Sequence, residues 1–529
     1  MKRLRNIMFA GTGSDVGKSV IAAAFCRIFR QDGYSPAPFK AQNMALNSYA
    51  TPEGLEIGRA QAAQAEAAGI ACHTDMNPIL LKPQSDHTSQ VVLNGRPIGN
   101  RDAYSYFRGE GKDYLRREAC EAFDRLASRY NPIVMEGAGS ISELNLRERD
   151  IVNMPMARHA DADVILVGDI DRGGVFASLY GSVMLQTPED RRRIKGIIVN
   201  KFRGDLRLFD DGRRMIEDIC QVPVVGVVPY LEDVGVDDED SVVLDKKRRS
   251  ATDGKTNVAV VKLRHLSNFT DFKAMEQDSR LNVYYTTDSE QLLKADIIIV
   301  PGSKSTIDDL RRLKEEGVEA TIKEVRKRGK TILGICGGYQ MLGMGIDDPR
   351  QTEGEAIHID GMGLLPITTT MGEKKVTCQT EFTLVDGSER MRGYEIHQGI
   401  STATDGSYRP LTIKADGQTE GCFVDNRCMG TYLHGCLDNP AFVDFLLSGA
   451  GGTGGVGVPP APRGKGNINA AEEINANRRG AGGTPTPPAP TPPAGGFDYA
   501  RYKEEHYDRL ADHVRKHVDM AKVYDILQL

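Results

Sequence analysis

The chain has no long apolar run, no surplus of positive charge, and no cysteines at metal-ligand spacing. No apolar stretch nears the ~20 residues that cross a bilayer, so a membrane-spanning helix is not expected. The basic start Met1-Lys2-Arg3-Leu4-Arg5 leads into only four apolar residues, Ile7 to Ala10. A signal peptide needs a longer apolar core, so this segment reads as a first strand. With 67 Lys and Arg against 73 Asp and Glu, net charge −6, there is no electrostatic case for nucleic acid or an anionic membrane as partner. Nine scattered cysteines without a C-x-x-C pair exclude a zinc ribbon and fit reduced thiols in a cytoplasm. Residues 449–496 lack large apolar side chains, and 22 of these 48 residues are Gly or Pro. Such a segment buries too little surface to offset its ordering entropy and reads as a disordered insert.

At 529 residues the chain exceeds one ordinary core, and two domains are expected. The first, 1–232, is organised around Gly11-Thr12-Gly13-Ser14-Asp15-Val16-Gly17-Lys18-Ser19. An apolar strand precedes this stretch, and Ile21, Phe25, Ile28 and Phe29 follow at helical spacing. Strand, glycine turn and helix in that order make a phosphate cradle. Backbone N–H groups face the anion, Lys18 reaches the β/γ-phosphates and Ser19 can ligate Mg²⁺. Thr12 stands where the strict P-loop has glycine, so the loop is a lengthened variant. Near-continuous apolar runs at Ile133 to Met135, Val164 to Val167, Ile197 to Val199 and Val224 to Val228 alternate with helical segments. That pattern indicates a parallel sheet covered on both faces. Chemistry-bearing residues follow these runs, Glu136-Gly137-Ala138-Gly139, Asp169 to Gly174 and Asn200-Lys201 among them, where ligands sit on open parallel sheets.

Residues 233–256 read as a solvated connector, with Asp237 to Asp240 acidic and Lys246 to Arg249 basic. A second α/β domain, 257–448, follows, with strands expected at Val258 to Val261, Ile297 to Val300 and Thr331 to Ile335. Its chemistry lies in Gly334-Ile335-Cys336-Gly337-Gly338-Tyr339-Gln340. A strand runs into Cys336 and a helix starts at once, which is nucleophile-elbow logic with sulfur as the nucleophile. The helix N-terminus favours a thiolate at Cys336. The N–H of Gly337 and the Gly302 turn are candidate oxyanion donors. A cysteine nucleophile needs a base, and both His434 and His397 qualify on residue type and context. Residues 497–529, with Leu510, Val514, Val518 and Ala521 at helical spacing, are expected to close the second domain as an amphipathic helix.

The elbow GICGGYQMLG resembles class I (triad-type) glutamine amidotransferase domains. GTGSDVGKS together with EGAGS at 136–140 resembles the dethiobiotin-synthetase type of ATP-dependent ligase. Their fusion in this order is similar to the cobalamin-pathway amidases. Within that group FKAQNMALNS at 39–48, MNPILLKP at 76–83 and DIDRGGVFAS at 169–178 resemble the cobyric acid synthase family. The resemblance covers nearly the whole chain outside the Gly/Pro insert.

The resemblance implies an α/β P-loop synthetase domain followed by an α/β amidotransferase domain. It implies ATP and Mg²⁺ as cofactors, L-glutamine as nitrogen donor and a corrinoid, adenosylcobyrinic acid a,c-diamide, as acceptor, amidated at its b, d, e and g carboxylates. It selects His434 over His397 as the base and places Gln340 with glutamine. Gly11, Thr12, Gly13, Asp15, Val16, Gly17, Lys18 and Ser19 would hold ATP, with Lys40 facing phosphate and Asn200 near adenine. Ser19 and Glu136 would stand on the metal side. Many class I members carry Glu two residues after the histidine, whereas this chain has Cys436, so no third triad residue is assigned. The sister activity, cobyrinic acid a,c-diamide synthesis, shares both sites. A P-loop switch ATPase is a more distant alternative: its class has an extra lysine where this chain has Gly13, and no glutaminase domain.

Overall fold

The computed structural model describes residues 3–83, 88–102, 111–231, 247–353, 356–450 and 497–528. The acidic patch at Asp237 to Asp240 and nearly all of the 449–496 insert lie outside the described residues.

The first domain is built on a six-stranded sheet. Its order is Val224–Pro229, Ile194–Phe202, Asp163–Asp169, Ile7–Gly11, Ile133–Glu136 and Ala37–Phe39, and every pairing is parallel. The strands read as unbroken apolar runs because both faces are covered: Ile7, Met8, Phe9, Val134, Met135, Leu166 and Val167 are fully buried. The glycine-rich turn leaves the carboxyl end of the central strand Ile7–Gly11 and enters the helix Lys18–Gln31. A second, four-stranded sheet stands beside this core, ordered Gln42–Met44, Ile79–Pro83, Thr88–Leu93 and Arg96–Asp102. In it the FKAQNMALNS and MNPILLKP segments run parallel, with Gln42 opposite Ile79 and Met44 opposite Leu81.

The second domain carries its own sheet, ordered Leu281–Thr286, Thr256–Val261, Ile297–Val300, Thr331–Ile335, Cys428–Thr431 and Cys422–Asp425, with only the last strand antiparallel. Packed against it is a seven-stranded sheet dominated by the long hairpin Ile367–Leu384 and Met391–Ala403. The connector is not merely solvated where it is described. Lys247 pairs with Glu276 at 2.5 Å, and the Arg248 carbonyl accepts a hydrogen bond from Tyr285 N–H.

The C-terminal segment corrects one expectation. It forms two helices, Tyr499–His517 and Met520–Ile526, and they pack on the first domain rather than closing the second. Leu510, Val514, Val518 and Val523 share a core with Ile7, Phe9, Phe25 and Ile28. Arg27 on the phosphate-loop helix bonds Asp508 at 2.7 Å and Glu504 at 2.9 Å. Val518 makes a β-bridge to Gly226, and Leu4 makes one to Gln528. The break between the helices falls at Val518, so Ala521 leaves the apolar stripe and is exposed. A stripe at helical spacing shows that a face must be covered; it carries no record of which domain covers it.

Candidate active sites

The first site forms where the sheet's central strands end. Asp15 (φ 56°) and Gly17 (φ 96°) take left-handed conformations that wrap the loop into a cradle. At Gly17 the conformation and the space agree, since a Cβ there would lie 2.1 Å from Asn200 Nδ2. At Gly11 a Cβ would sit 2.8 Å from Lys18 Nζ and 2.9 Å from the Gly13 carbonyl. Val16 is buried beneath the loop. Thr12, the departure from the strict pattern, is fixed by donating its N–H to the Val167 carbonyl at 3.0 Å and by bridging to Ser140.

Lys18 folds over the loop and donates to the Gly13 carbonyl at 2.9 Å and the Gly139 carbonyl at 3.0 Å. Glu136 is 1% exposed and is the hub of the site. Its Oε1 accepts from Ser19 Oγ at 2.8 Å and from Lys40 Nζ at 3.0 Å, and its Oε2 accepts from Gln64 Nε2 at 2.7 Å. A buried carboxylate so surrounded is fixed in place beside the loop rather than idle on the surface. Gln64 was not singled out from the sequence; it lies on the helix Arg59–Ala68, whose polar residues point inward. Asn200 is drawn into the loop itself, donating Nδ2 to the Val16 carbonyl at 2.8 Å. That bond braces the loop from the neighbouring strand end. Lys201 reaches the Asp15 carbonyl and Asp169.

The second site lies at the end of Thr331–Ile335. Cys336 sits at φ 51°, ψ −110°, the strained geometry of an elbow that lifts Sγ clear of its strand. Gly338 is required there, since a Cβ would come within 1.8 Å of the Val300 carbonyl oxygen. Gly337 packs on the other glycine turn, with a Cβ position 2.9 Å from Ser303 N, and the equivalent position at Gly302 faces His434 Cε1 at 3.5 Å. Gln340 is buried, with Nε2 donating to Tyr432 Oη at 3.2 Å.

The two histidines part company. His397 has both ring nitrogens engaged, with the Gly399 carbonyl at 2.8 Å and Glu395 at 3.1 Å, and its ring stacks on Tyr432 at 3.7 Å. His434 pairs through Nδ1 with Asp271 Oδ2 at 2.7 Å and lines the same cavity as Cys336, whose thiol donates to the Ile396 carbonyl at 3.6 Å. Burial by itself would lower the His434 imidazole, but the Asp271 carboxylate and the Cys336 sulfur outweigh it and raise it to about 10. Cysteine, histidine and aspartate are thus gathered at one place inside the second domain, with the histidine and aspartate hydrogen-bonded to each other.

Sequence reasoning missed Asp271 because it searched downstream of the histidine. Cys436, which occupies that downstream position, is buried and its thiol is pushed well up by burial. Asp271 comes from the short 3₁₀ turn Phe269–Phe272, in the connection that follows the strand Thr256–Val261. That strand's carboxyl end points to the same edge as the elbow, which is the signal that could have found it. Glu420 supports the histidine's segment from beneath. It accepts from Tyr432 N–H at 2.6 Å and from Thr431 Oγ1 at 2.7 Å, and burial raises its carboxyl to about 7.

A polar cavity opens beside Cys336, lined by residues of both domains: Ser48 and Lys82 from the first, and Lys304, Glu353, Gln398 and His434 from the second. Lys82 donates to Glu56 at 2.7 Å, and Lys375 crosses from the second domain to the same carboxylate. Burial lowers the Lys375 ammonium to about 7, against the pull of Glu56.

Residues 7–242 match the family described as the CobQ/CobB/MinD/ParA nucleotide binding domain. Residues 257–442 match the CobB/CobQ-like glutamine amidotransferase domain. A protein of Phocaeicola vulgatus named cobyric acid synthase is 58% identical over 527 residues, covering 99% of this chain and 99% of its own. One of Bacteroides fragilis with the same name is 59% identical over the same shares. A third, from Syntrophobacter fumaroxidans, is 46% identical and covers 100% of this chain and 99% of its own.

Proposed function

Because the chain belongs to the cobyric acid synthase family, we propose that it is a glutamine-hydrolysing ligase that uses ATP to convert the b, d, e and g carboxylates of adenosylcobyrinic acid a,c-diamide into amides. The observation that supports this reading most directly is the presence of two complete chemical centres in one chain. One is a phosphate cradle around Lys18 and Glu136; the other gathers Cys336 beside the His434–Asp271 pair.

At the second centre Cys336 attacks the carboxamide carbon of glutamine, its thiol proton passing to His434. Gly337 and Gly302 offer backbone donors to the developing oxyanion. His434 then gives its proton to the departing ammonia, leaving a glutamyl thioester on Sγ. Water attacks that ester, His434 takes up the water's proton, and glutamate leaves. Asp271 holds the imidazole in the tautomer that faces sulfur, and stabilises its charged form.

At the first centre the γ-phosphoryl of ATP passes to a corrinoid carboxylate, giving ADP and an acyl phosphate. Ammonia attacks the acyl carbon and phosphate departs, so each amide consumes one ATP and one glutamine. Lys18 leaves the Gly13 and Gly139 carbonyls to follow the charge in flight, and Lys40, freed from Glu136, faces phosphate. Glu136, the Ser19 hydroxyl and the Gln64 Oε1, which is buried without a partner among the described residues, form an oxygen donor set. It suits Mg²⁺, an ion that keeps water and phosphate oxygens as its remaining ligands. The metal would neutralise charge between the phosphates. Among the described residues no helix is long and apolar enough to cross a membrane, and the reduced cysteines agree with work in the cytoplasm.

The test is direct. The protein is incubated with ATP, Mg²⁺, glutamine and the corrinoid diamide, and the product masses are followed. Four successive carboxylate-to-amide shifts are expected. No shift on the diamide, with amidation of cobyrinic acid at a and c instead, would assign the sister activity.

A further inference from the structure

We infer that Asn268 is a positioning residue for glutamine hydrolysis: it ties the turn carrying Asp271 to the Asn47-Ser48 end of the first domain, so that the segment running from Lys40 to Ser48 sets the Asp271–His434 pair. The inference rests on the glutaminase reading above and adds a physical link between the two centres.

The contacts are few and buried. Asn268 is 3% exposed and takes φ 52°, ψ 42°, a left-handed conformation that asparagine tolerates better than most side chains. Its Oδ1 accepts from Ser48 N–H at 3.1 Å, and its Nδ2 donates to the Ser48 carbonyl at 3.2 Å. One side-chain amide thus satisfies both backbone groups of a single residue in the other domain. The same Nδ2 lies 3.2 Å from the Tyr394 hydroxyl. The next residue, Phe269, donates its N–H to Asn47 Oδ1 at 3.1 Å. Two residues further on stands Asp271, the partner of His434 Nδ1 and of Gly435 N–H.

Ser48 reaches the histidine by a second route as well. The Tyr394 hydroxyl donates to the Ser48 carbonyl at 3.4 Å, and the Tyr394 ring stacks on His434 with centroids 5.3 Å apart and planes 23° from parallel. A single backbone unit of the first domain therefore braces both the acid and the face of the base. Apolar packing would hold two domains together equally well; directional bonds to one residue fix register, which packing does not.

The other end of the segment is in the nucleotide site. Lys40 Nζ shares Glu136 Oε1 with the Ser19 hydroxyl. From Lys40 to Ser48 the chain is laced to the segment from Asn77 to Pro83: Asn77 Nδ2 donates to the Lys40 carbonyl at 3.0 Å, Ala45 N–H donates to the Leu81 carbonyl at 3.0 Å, and Lys82 Nζ donates to Ser48 Oγ at 2.9 Å. Eight residue steps span at most about 28 Å. A shift of Lys40 when phosphate enters is thus transmitted along a short, bonded segment rather than lost in a loop.

The experiment uses Asn268→Gly, which keeps the left-handed backbone and removes the amide. The full-length protein is assayed for glutamine-driven amidation, ammonium-driven amidation, and the rate at which a glutamine-analogue chloroketone alkylates Cys336. In the unaltered protein that alkylation should accelerate when ATP and the corrinoid diamide are added. In N268G the acceleration should vanish and kcat for glutamine should fall about 100-fold, the scale of an ångström-level misplacement. KM for glutamine and ammonium-driven turnover should hold. Tyr394→Phe, which keeps the stacked ring and loses one hydroxyl, should show a smaller loss in the same direction. Glutamine turnover and acceleration unchanged in N268G would overturn the inference, as would equal losses with both nitrogen sources. A wild-type protein that hydrolyses no glutamine would remove the glutaminase reading along with it.

Discussion

The two centres are assembled in opposite ways. The phosphate site is largely one contiguous stretch, Gly11 to Ser19, closed by Glu136 and Lys40 from the neighbouring strand ends of the same sheet. The cysteine site gathers Asp271, Gly302, Cys336 and His434 from separate connections and is walled by Ser48 and Lys82 of the other domain. A loop that binds phosphate through its own backbone needs little outside help. A proton relay needs three side chains at fixed separations, and these come from wherever the fold brings strand ends together.

The sharpest test of that contrast separates the centres by nitrogen source. Lys18→Ala should remove amidation with glutamine and with ammonium alike, by about 10²–10³-fold or more, because charge in the phosphoryl transfer goes unsupported. Cys336→Ala should remove only the glutamine-driven reaction, and a high concentration of ammonium salt should restore the amides. Failure of ammonium to rescue Cys336→Ala would mean that the elbow serves more than glutamine.

Next in size is the loss of the C-terminal helices. Ending the chain at Ala450 strips Leu510, Val514, Val518 and Val523 from the core they share with Phe9 and Phe25. At about 1.5–3 kcal/mol for each buried side chain, that is comparable with the whole stability of an ordinary domain. The damage should appear in the nucleotide domain, read as loss of ATP binding and of ammonium-driven amidation. Glutamine hydrolysis surviving alone in soluble protein would sharpen the comparison.

A smaller effect is expected for Asp271→Asn. Asp271 is the chief attraction raising His434 to about 10. The raised value means that the charged imidazole adds stability fully present below its ordinary 6.5 and lost as pH climbs through about 10. Without the carboxylate the imidazole loses its proton at lower pH. The alkaline limb of glutamine hydrolysis should move down, and its rate at neutral pH should fall at least about 100-fold. Ammonium-driven amidation should keep its pH profile.

The smallest effect belongs to the insert. Replacing 451–494 with a flexible Gly/Ser link should leave melting temperature and amidation close to wild type, since each doubling of loop length costs only about 0.6 kcal/mol. A large loss of activity in that deletion would assign the segment a role its composition does not reveal.

Legibility in the sequence followed the same division. Lys18, Ser19 and Cys336 stood out because their chemistry needs a local pattern of glycines between strand and helix. Glu136 and Lys40 were reached through strand ends and resemblance. Asp271 was not, because nothing near Cys336 or His434 in the chain points to a turn more than sixty positions upstream of the elbow. The parallel pairing that joins FKAQNMALNS to MNPILLKP was also missed. These segments are short, and a strand's partner is set by register in space rather than by residues beside it in the chain. The C-terminal stripe was read correctly as a buried face at Leu510, Val514 and Val518 and assigned to the wrong domain.

That stripe also bears on biosynthesis. The nucleotide domain embraces the amidotransferase domain: its sheet is laid down by Pro229, yet the helices that cover Phe9 and Phe25 emerge from the ribosome only after Ala450. During translation the half that is encoded first stays open on one face, while the half encoded later already has its whole core. The amidotransferase domain can mature first, and the synthetase sheet must hold an uncovered apolar surface until Tyr499 to Ile526 arrive. Chaperone binding to nascent chains should therefore peak over the interval between those two events and end when the second helix is released.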